Sequence, residues 1–415
     1  MRVALVKESD KSFTKIFWCS APSSVNTQLP RLDLLYISSL LEKNGIENDI
    51  IDVSELKNIY DYYVFHVSKQ TLDRDLEALF NCHLVGKTIV FGCDVSAEPS
   101  YWTQFEFIDY VVVGEPEATV LSIVSGKPKI DLNLNGLYPN YKKTGIEDYR
   151  CAYIKARHFV VSLSSRGCPR HCLFCSSHLL FNRVWRPRTA YDVAYEMKAF
   201  EDMGAKTVWY YDDCFTLDRQ RVFNICNYID RFGVHVNWKT QIRADCLDLQ
   251  MIYALHDAGC YELGIGVESG NQSILDKNGK GIKLETIRRV FKECNAVGMQ
   301  TVAFFMLGMA YETQDSIQDT IEFAKELDPT YAQFVLATPY KGTEFYKLAE
   351  REGWLVHEES SCLDDYGLIM NDLNPEIMQK LLHEANRSFY MRPRYLFKQL
   401  KHPSLEKLKS LRRII

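Results

Sequence analysis

Residues 165–177 read SRGCPRHCLFCSS and space Cys168, Cys172 and Cys175 as C-x3-C-x2-C. The stretch follows directly on HFVVSLSS, an apolar run that reads as a strand, so the three thiols sit in a strand-end loop. Three thiolates at this spacing can face one centre while the loop wraps round it. A structural zinc site takes a fourth Cys or His at its own spacing, and only His171 and His178 lie in or beside this loop. An iron–sulfur cubane held by three cysteines instead leaves one iron open to a ligand. Thiolates suit iron–sulfur or zinc and exclude magnesium or calcium.

Working outward, the loop opens a regular alternation of strand and helix patterns from about 158 to 350. Five more strand-like runs follow HFVVSLSS: KTVWYYDD, VNWKTQIRAD, YELGIGVES, QTVAFFMLG and AQFVLATPY. Amphipathic stretches at 189–203, 219–232, 248–258, 284–297 and 313–327 separate them. Six strand–helix units fall short of the eight that close a full barrel, so the pattern predicts an open, partial (β/α)6 barrel of TIM type. In this architecture chemistry sits at the carboxyl ends of the strands.

Ahead of the loop lies a second alternation. MRVALV, NDIIDV, YYVFHVS, TIVFGC and DYVVVGE read as strands, with helices at 31–44 and 72–80. Apolar strands alternating with helices predict a doubly wound, Rossmann-like parallel sheet, which binds ligands at its strand ends. Residues 127–157 are rich in Gly, Pro, Asn and Lys without a helical period and read as a connector. The expected segments are therefore 1–126, 127–157, 158–350 and 351–415, the last mostly helical.

Composition narrows the class. The 415 residues are 47% apolar and 25% charged, an ordinary globular balance. No apolar run reaches the ~18–20 residues that span a bilayer, and MRVALVKESD turns charged too soon for a signal peptide. Thirteen cysteines without a secretory signal suggest reduced cytosolic thiols or metal ligands, hence a cytoplasmic protein. The net charge of −5 gives no reason to expect nucleic-acid binding. The charge is uneven, however: residues 387–415 hold nine Lys or Arg against one acid, Glu406. That tail reads as a solvated helix face, as a peripheral contact with an anionic membrane surface, or as a contact for an anionic substrate.

The cysteine loop, with Phe174 before its last cysteine, resembles the radical S-adenosylmethionine (SAM) superfamily. The resemblance implies that Cys168, Cys172 and Cys175 hold a [4Fe–4S] cluster whose open iron is chelated by SAM. It implies reductive SAM cleavage to a 5′-deoxyadenosyl radical, with Phe174 packing near the adenine and a flavodoxin or ferredoxin as electron donor. It extends down the barrel. YYDDCF offers Asp212 and Asp213 to the cavity, and QIRAD offers Arg243 to the SAM carboxylate. GIGVESG offers Glu268, for the ribose, with Ser269 and Gly270; FFMLGM offers Gly308 beside the adenine; ATPYKGT offers Tyr340. Plainer roles stand beside these. Strand-end carboxylates often cap the next helix, Arg243 can pair with Asp245, and Gly308 can be a turn.

The first segment resembles the cobalamin-binding domain found ahead of many radical SAM domains, through RLDLLYISSLLEKNGIENDIIDV and DYVVVGEPEATV. The tail RSFYMRPRYLFKQL resembles the subgroup of the anaerobic magnesium-protoporphyrin cyclase and hopanoid-pathway enzymes. By this resemblance, backbone at Ser68, Gly92 and Gly114 lines a cobalamin. The family's Asp-x-His-x-x-Gly cobalt-ligand motif is absent, and Gly92-Cys93 stands where Gly-Gly is usual. The resemblance thus implies a cobalamin-dependent enzyme methylating an unactivated carbon of a small molecule or lipid. Two alternatives remain. One is a radical SAM cyclisation, rearrangement or oxidation without cobalamin, its first domain a scaffold. The other is a non-catalytic iron–sulfur or zinc protein.

Overall fold

The structure is a computed structural model that describes residues 1–7, 13–15, 20–22, 29–67, 80, 84–147, 149, 158–356 and 367–400. It is an α/β protein with a Rossmann-like first sheet, the six β/α units of a partial barrel and a helical C-terminal part. By compactness it divides into two units. One comprises residues 1–169 and 175–240, the other 170–174 and 241–415.

In the first unit, β1 (Arg2–Lys7), β4 (Glu47–Asp52), β5 (Tyr62–His66), β6 (Lys87–Phe91) and β7 (Tyr110–Val112) form one parallel sheet in the order β4-β1-β5-β6-β7. The short strands β2 (Phe13–Lys15) and β3 (Ser20–Pro22) pair antiparallel to each other. The chain order within the five-stranded sheet reverses between β1 and β5, and such a switch point opens a crevice beyond the carboxyl ends of the strands. The Leu32–Lys43 helix is buried along most of its length, which explains its apolar run LLYI. Two short helices, Cys93–Ala97 and Pro99–Trp102, follow β6 where the sequence reads as a loop. The helix read at 72–80 lies outside the described residues except for Phe80. Residues 127–147 carry neither helix nor strand.

The same unit holds β8 (Phe159–Ser162), β11 (Thr207–Tyr210) and β12 (Asn237–Ile242), parallel to one another with β11 in the middle; the division into units falls near the end of β12. Between β8 and β11 the chain adds a hairpin that the alternation does not announce. It is made of β9 (Ser165–Arg166) and β10 (Arg186–Pro187), and it closes the ends of the cysteine loop. In the second unit, β13 (Cys260–Glu268), β14 (Gln300–Leu307) and β15 (Tyr331–Leu336) run parallel.

Of the barrel helices, at Ala190–Asp202, Arg219–Arg231, Leu249–Asp257, Leu284–Val297, Gln314–Leu327 and Glu344–Arg351, all but Leu284–Val297 begin at a side-chain cap. Thr189, Asp218, Asp248, Thr313 and Thr343 each accept a hydrogen bond from the backbone N–H three residues on. A side-chain oxygen there satisfies an N–H that has no partner inside the helix.

Candidate active site

The two ends of the cysteine loop belong to the first unit. Cys168 and Cys175 are half-buried and form no disulfide among the described residues. The aspartates after β11 brace these ends. Asp212 is wholly buried and accepts hydrogen bonds from Ser164 N (2.7 Å), Ser164 Oγ (2.6 Å) and Ser165 Oγ (2.6 Å). Arg221 donates to the Ser164 carbonyl and hydroxyl. Burial raises the carboxyl of Asp212 above its ordinary range, while Arg221 and the serines work against that rise. Asp213 accepts from Ser177 Oγ at 2.9 Å, and burial pushes it up to about 6. The carboxylate of Asp212, expected to line a cavity, thus fastens the strand that leads into the loop. Asp213 holds Ser177, just after the last cysteine. His178 is engaged through Nδ1 with the Cys175 carbonyl at 2.8 Å, and His171 is exposed.

The loop's apex, residues 170–174, belongs to the second unit. Leu173 N–H donates to the Asn278 carbonyl (3.0 Å), Phe345 N–H donates to the Leu173 carbonyl (3.0 Å), and Arg170 pairs with Asp245 (3.3 Å). Gly279 (φ +67°) passes so close that an added Cβ would lie 2.9 Å from the His171 carbonyl oxygen. Cys172 is buried, and Arg243 Nη1 donates to its sulfur at 3.9 Å. Phe174 is half-buried. Among the described residues, no three Cys, His, Asp or Glu side chains are grouped as a ready-made metal site. The donor set still fits a thiolate-held iron–sulfur centre: three thiols outside any disulfide, one of them receiving an N–H. Hydrogen bonds to sulfur are among the protein's means of tuning such a centre.

Around Cys172 the second unit assembles a charged set. Arg243 does pair with Asp245, at 3.0 and 3.2 Å, and also donates to the Lys280 carbonyl at 2.7 Å. Lys280 in turn places Nζ 2.7 Å from Glu268 Oε1, both residues being buried. Glu268 ends β13 at a register irregularity with φ +68°. A non-glycine residue there costs on the order of 1–3 kcal/mol and points to a functional constraint. Ser269 and Gly270 turn the other way: the Ser269 hydroxyl meets Thr320 Oγ1 at 3.1 Å, and Gly270 N–H donates to the same oxygen at 2.9 Å.

Gly308 (φ +86°) is a turn at the end of β14. Its N–H and that of Met309 both donate to Glu312 Oε2, at 2.5 and 3.0 Å. Glu312 is completely buried, Oε1 has no hydrogen-bond partner among the described residues, and burial pushes the carboxyl up to about 8 against the pull of those N–H groups. The Tyr340 carbonyl accepts from Thr343 in the cap of the next helix.

In the first sheet, Ser96 joins two of the expected cofactor contacts. Its hydroxyl donates to the Gly92 carbonyl (2.8 Å) and accepts from Gly114 N–H (2.9 Å). Gly92 (φ +148°) has no room for a side chain, since a Cβ would lie 2.6 Å from the Val67 carbonyl oxygen. Backbone bared in this way at strand ends fits the approach of a large cofactor. Ser68 lies outside the described residues. His66 is a satisfied core histidine, its Nδ1 2.6 Å from Asp33 Oδ2. Burial raises the Asp33 carboxyl, but Arg31 and His66 overcome this and hold it well below the usual carboxylate range.

Sequence reasoning passed over Lys280, Gly279 and Glu312. Only the fold brings them to Glu268, Cys172 and Gly308.

Three comparisons bear on this arrangement. Residues 162–324 match the radical SAM superfamily. Over 425 aligned residues the chain is 27% identical to an uncharacterized methyltransferase of Pyrococcus horikoshii, covering 91% of each chain. Among solved structures it shares the fold of TsrM from Kitasatospora setae, a radical SAM methyltransferase solved with tryptophan and a SAM analogue, and in another structure with cobalamin and a [4Fe–4S] cluster. That likeness has a TM-score of 0.65 at 17% identity, over 84% of this chain and 76% of the other. It also shares the fold of the cobalamin-dependent radical SAM enzyme OxsB, with a TM-score of 0.60 at 18% identity, over 85% of this chain and 55% of the other.

Proposed function

We propose that this chain, whose residues 162–324 belong to the radical SAM superfamily, is a cobalamin-dependent radical SAM methyltransferase acting on an unactivated carbon. The observation that carries the reading is a Rossmann-like parallel sheet placed ahead of the radical SAM strands in one chain. The same fold spans 84% and 85% of this chain in TsrM and OxsB, both solved with cobalamin.

In this reading Cys168, Cys172 and Cys175 hold the cluster, and backbone around Gly92 and Gly114 meets cobalamin. When bound, these groups supply the electron, the 5′-deoxyadenosyl radical and the methyl carrier; cofactors of this kind do the hard chemistry. The chain's own work is positioning. Arg243 keeps an N–H on the Cys172 sulfur, a contact of the kind that tunes an iron–sulfur centre. Lys280 holds the Glu268 carboxylate by one oxygen and leaves the other to accept ribose hydroxyls. The Glu312 chelate holds the Gly308 turn against which adenine packs. The acceptor is a small molecule or lipid, and the electron donor a flavodoxin or ferredoxin. Residues 1–126 serve as the cobalamin segment and 158–350 as the radical segment.

The test is anaerobic. The full chain is expressed with hydroxocobalamin, reconstituted with iron and sulfide, desalted, and counted for metals. About four irons with about one cobalt per chain, and methyl groups passing from labelled SAM into product, are expected. Iron without cobalt would remove the methyltransferase reading and bring cyclisation or oxidation forward. Zinc in place of iron would remove the radical reading altogether.

A further inference from the structure

The neck of the cysteine loop carries an electrostatic problem that the first sheet solves. Arg166 in β9 and Arg186 in β10 are register partners directly across the antiparallel hairpin. Like charges placed opposite each other destabilise a strand pair. Glu115 reaches in from the turn between β7 and the Pro116–Ser125 helix and takes both. Arg166 Nη1 donates to its Oε1 at 2.6 Å, and Arg186 Nη2 donates to its Oε2. Glu117, completely buried, pairs with Arg166 Nη2 at 2.8 Å. Arg166 itself is 2% exposed and lies over the Tyr36 ring at 4.7 Å. Removing one partner from so desolvated a set leaves an uncompensated buried charge.

We propose that Glu115 is a positioning residue for the metal-binding loop: by neutralising Arg166 and Arg186, which face each other across the hairpin, it keeps the neck of the loop closed and sets Cys168, two residues beyond Arg166. The inference rests on reading Cys168, Cys172 and Cys175 as cluster ligands. It adds that the first sheet contributes to the iron site through a carboxylate, whatever else that sheet binds. Glu115 touches no reacting atom; it acts through the two arginines. Its adjacency to Gly114 puts the clamp one residue from a strand end where a cofactor is proposed to lie.

The experiment compares wild type, Glu115→Gln, Arg186→Met and the double variant as full-length chains. Apo-protein is digested with thermolysin, cleavage within residues 167–185 is timed, and iron is counted after reconstitution. Glu115→Gln is expected to be cut roughly tenfold faster or more in this segment and to retain less iron, since Arg186 loses its counter-charge and Arg166 one of its two. Arg186→Met removes the like-charge pair and should behave as wild type. Added to Glu115→Gln, it should restore both readouts most of the way, because Arg166 keeps Glu117. Mere packing damage would not be rescued by a second deletion. Wild-type behaviour of Glu115→Gln, or no rescue in the double variant, overturns the clamp. If Glu115→Gln does not fold, the double variant decides alone: wild-type-like cleavage and iron support the clamp, and fast cleavage overturns it. A wild-type chain that takes up no iron would sink the cluster reading, while the digestion still judges the clamp.

Discussion

At the scale of single residues, the buried ionisable groups do different work. Lys280 Nζ lies 2.7 Å from Glu268 Oε1, so the buried Glu268, in a left-handed conformation, has an ion-pair partner. Glu312 has no such partner and holds its proton instead, up to about 8 against an ordinary 4.5. The folded chain therefore binds this proton over a range where the unfolded chain has released it. The stabilisation from a neutral Glu312 is complete below about 4.5 and is lost as pH rises to about 8. Glu312→Gln keeps an acceptor for the Gly308 and Met309 N–H groups and cannot ionise. Its melting temperature should gain on wild type as pH rises through that window and run parallel above it. A difference that stays constant across the window would show that Glu312 does not titrate there.

At the scale of elements, the loops that position the site are held by backbone. The apex of the cysteine loop hangs on Asn278 and Phe345 through main-chain hydrogen bonds, and Gly279 touches it with no side chain between. Gly279→Ala must place a Cβ 2.9 Å from the His171 carbonyl and forfeits roughly 1–2 kcal/mol for the left-handed backbone alone. The expected result is a lower thermal midpoint and weaker iron retention. An alanine variant with wild-type iron content would show that this turn does not set the apex. The helix starts, by contrast, follow local chemistry. Thr189, Asp218, Asp248, Thr313 and Thr343 cap at the positions their residue types favour, and the five stretches read from their amphipathic period begin and end within about a residue of the observed helices.

At the scale of the whole molecule, two proposed cofactor positions use different residues and should fail separately. Gly92→Val, which sets side chain against the Val67 carbonyl, is expected to lose cobalt and keep iron; Cys168→Ala should do the reverse. Loss of both metals in either variant would contradict two separable sites. No helix among the described residues is long and apolar enough to cross a membrane. The alternation of apolar strands and amphipathic helices was enough to announce two parallel α/β arrays and the six strands of the second. Periodicity is a local property, and six consecutive repeats leave little room for another fold. The C-x3-C-x2-C spacing was equally local. What each polar residue does was not. Asp212 and Asp213 look like cavity residues until Ser164, Ser165 and Ser177 are found around them. Glu115 looks like a turn residue until two arginines 51 and 71 positions away converge on it. Lys280 looks solvated until Glu268 meets it across 12 residues. The sequence by itself determined which elements form and where the thiols lie, because capping, periodicity and ligand spacing act over a few residues. The tertiary structure alone decided which charges are buried and with whom they pair, because desolvation and Coulomb energy depend on neighbours in space and not along the chain.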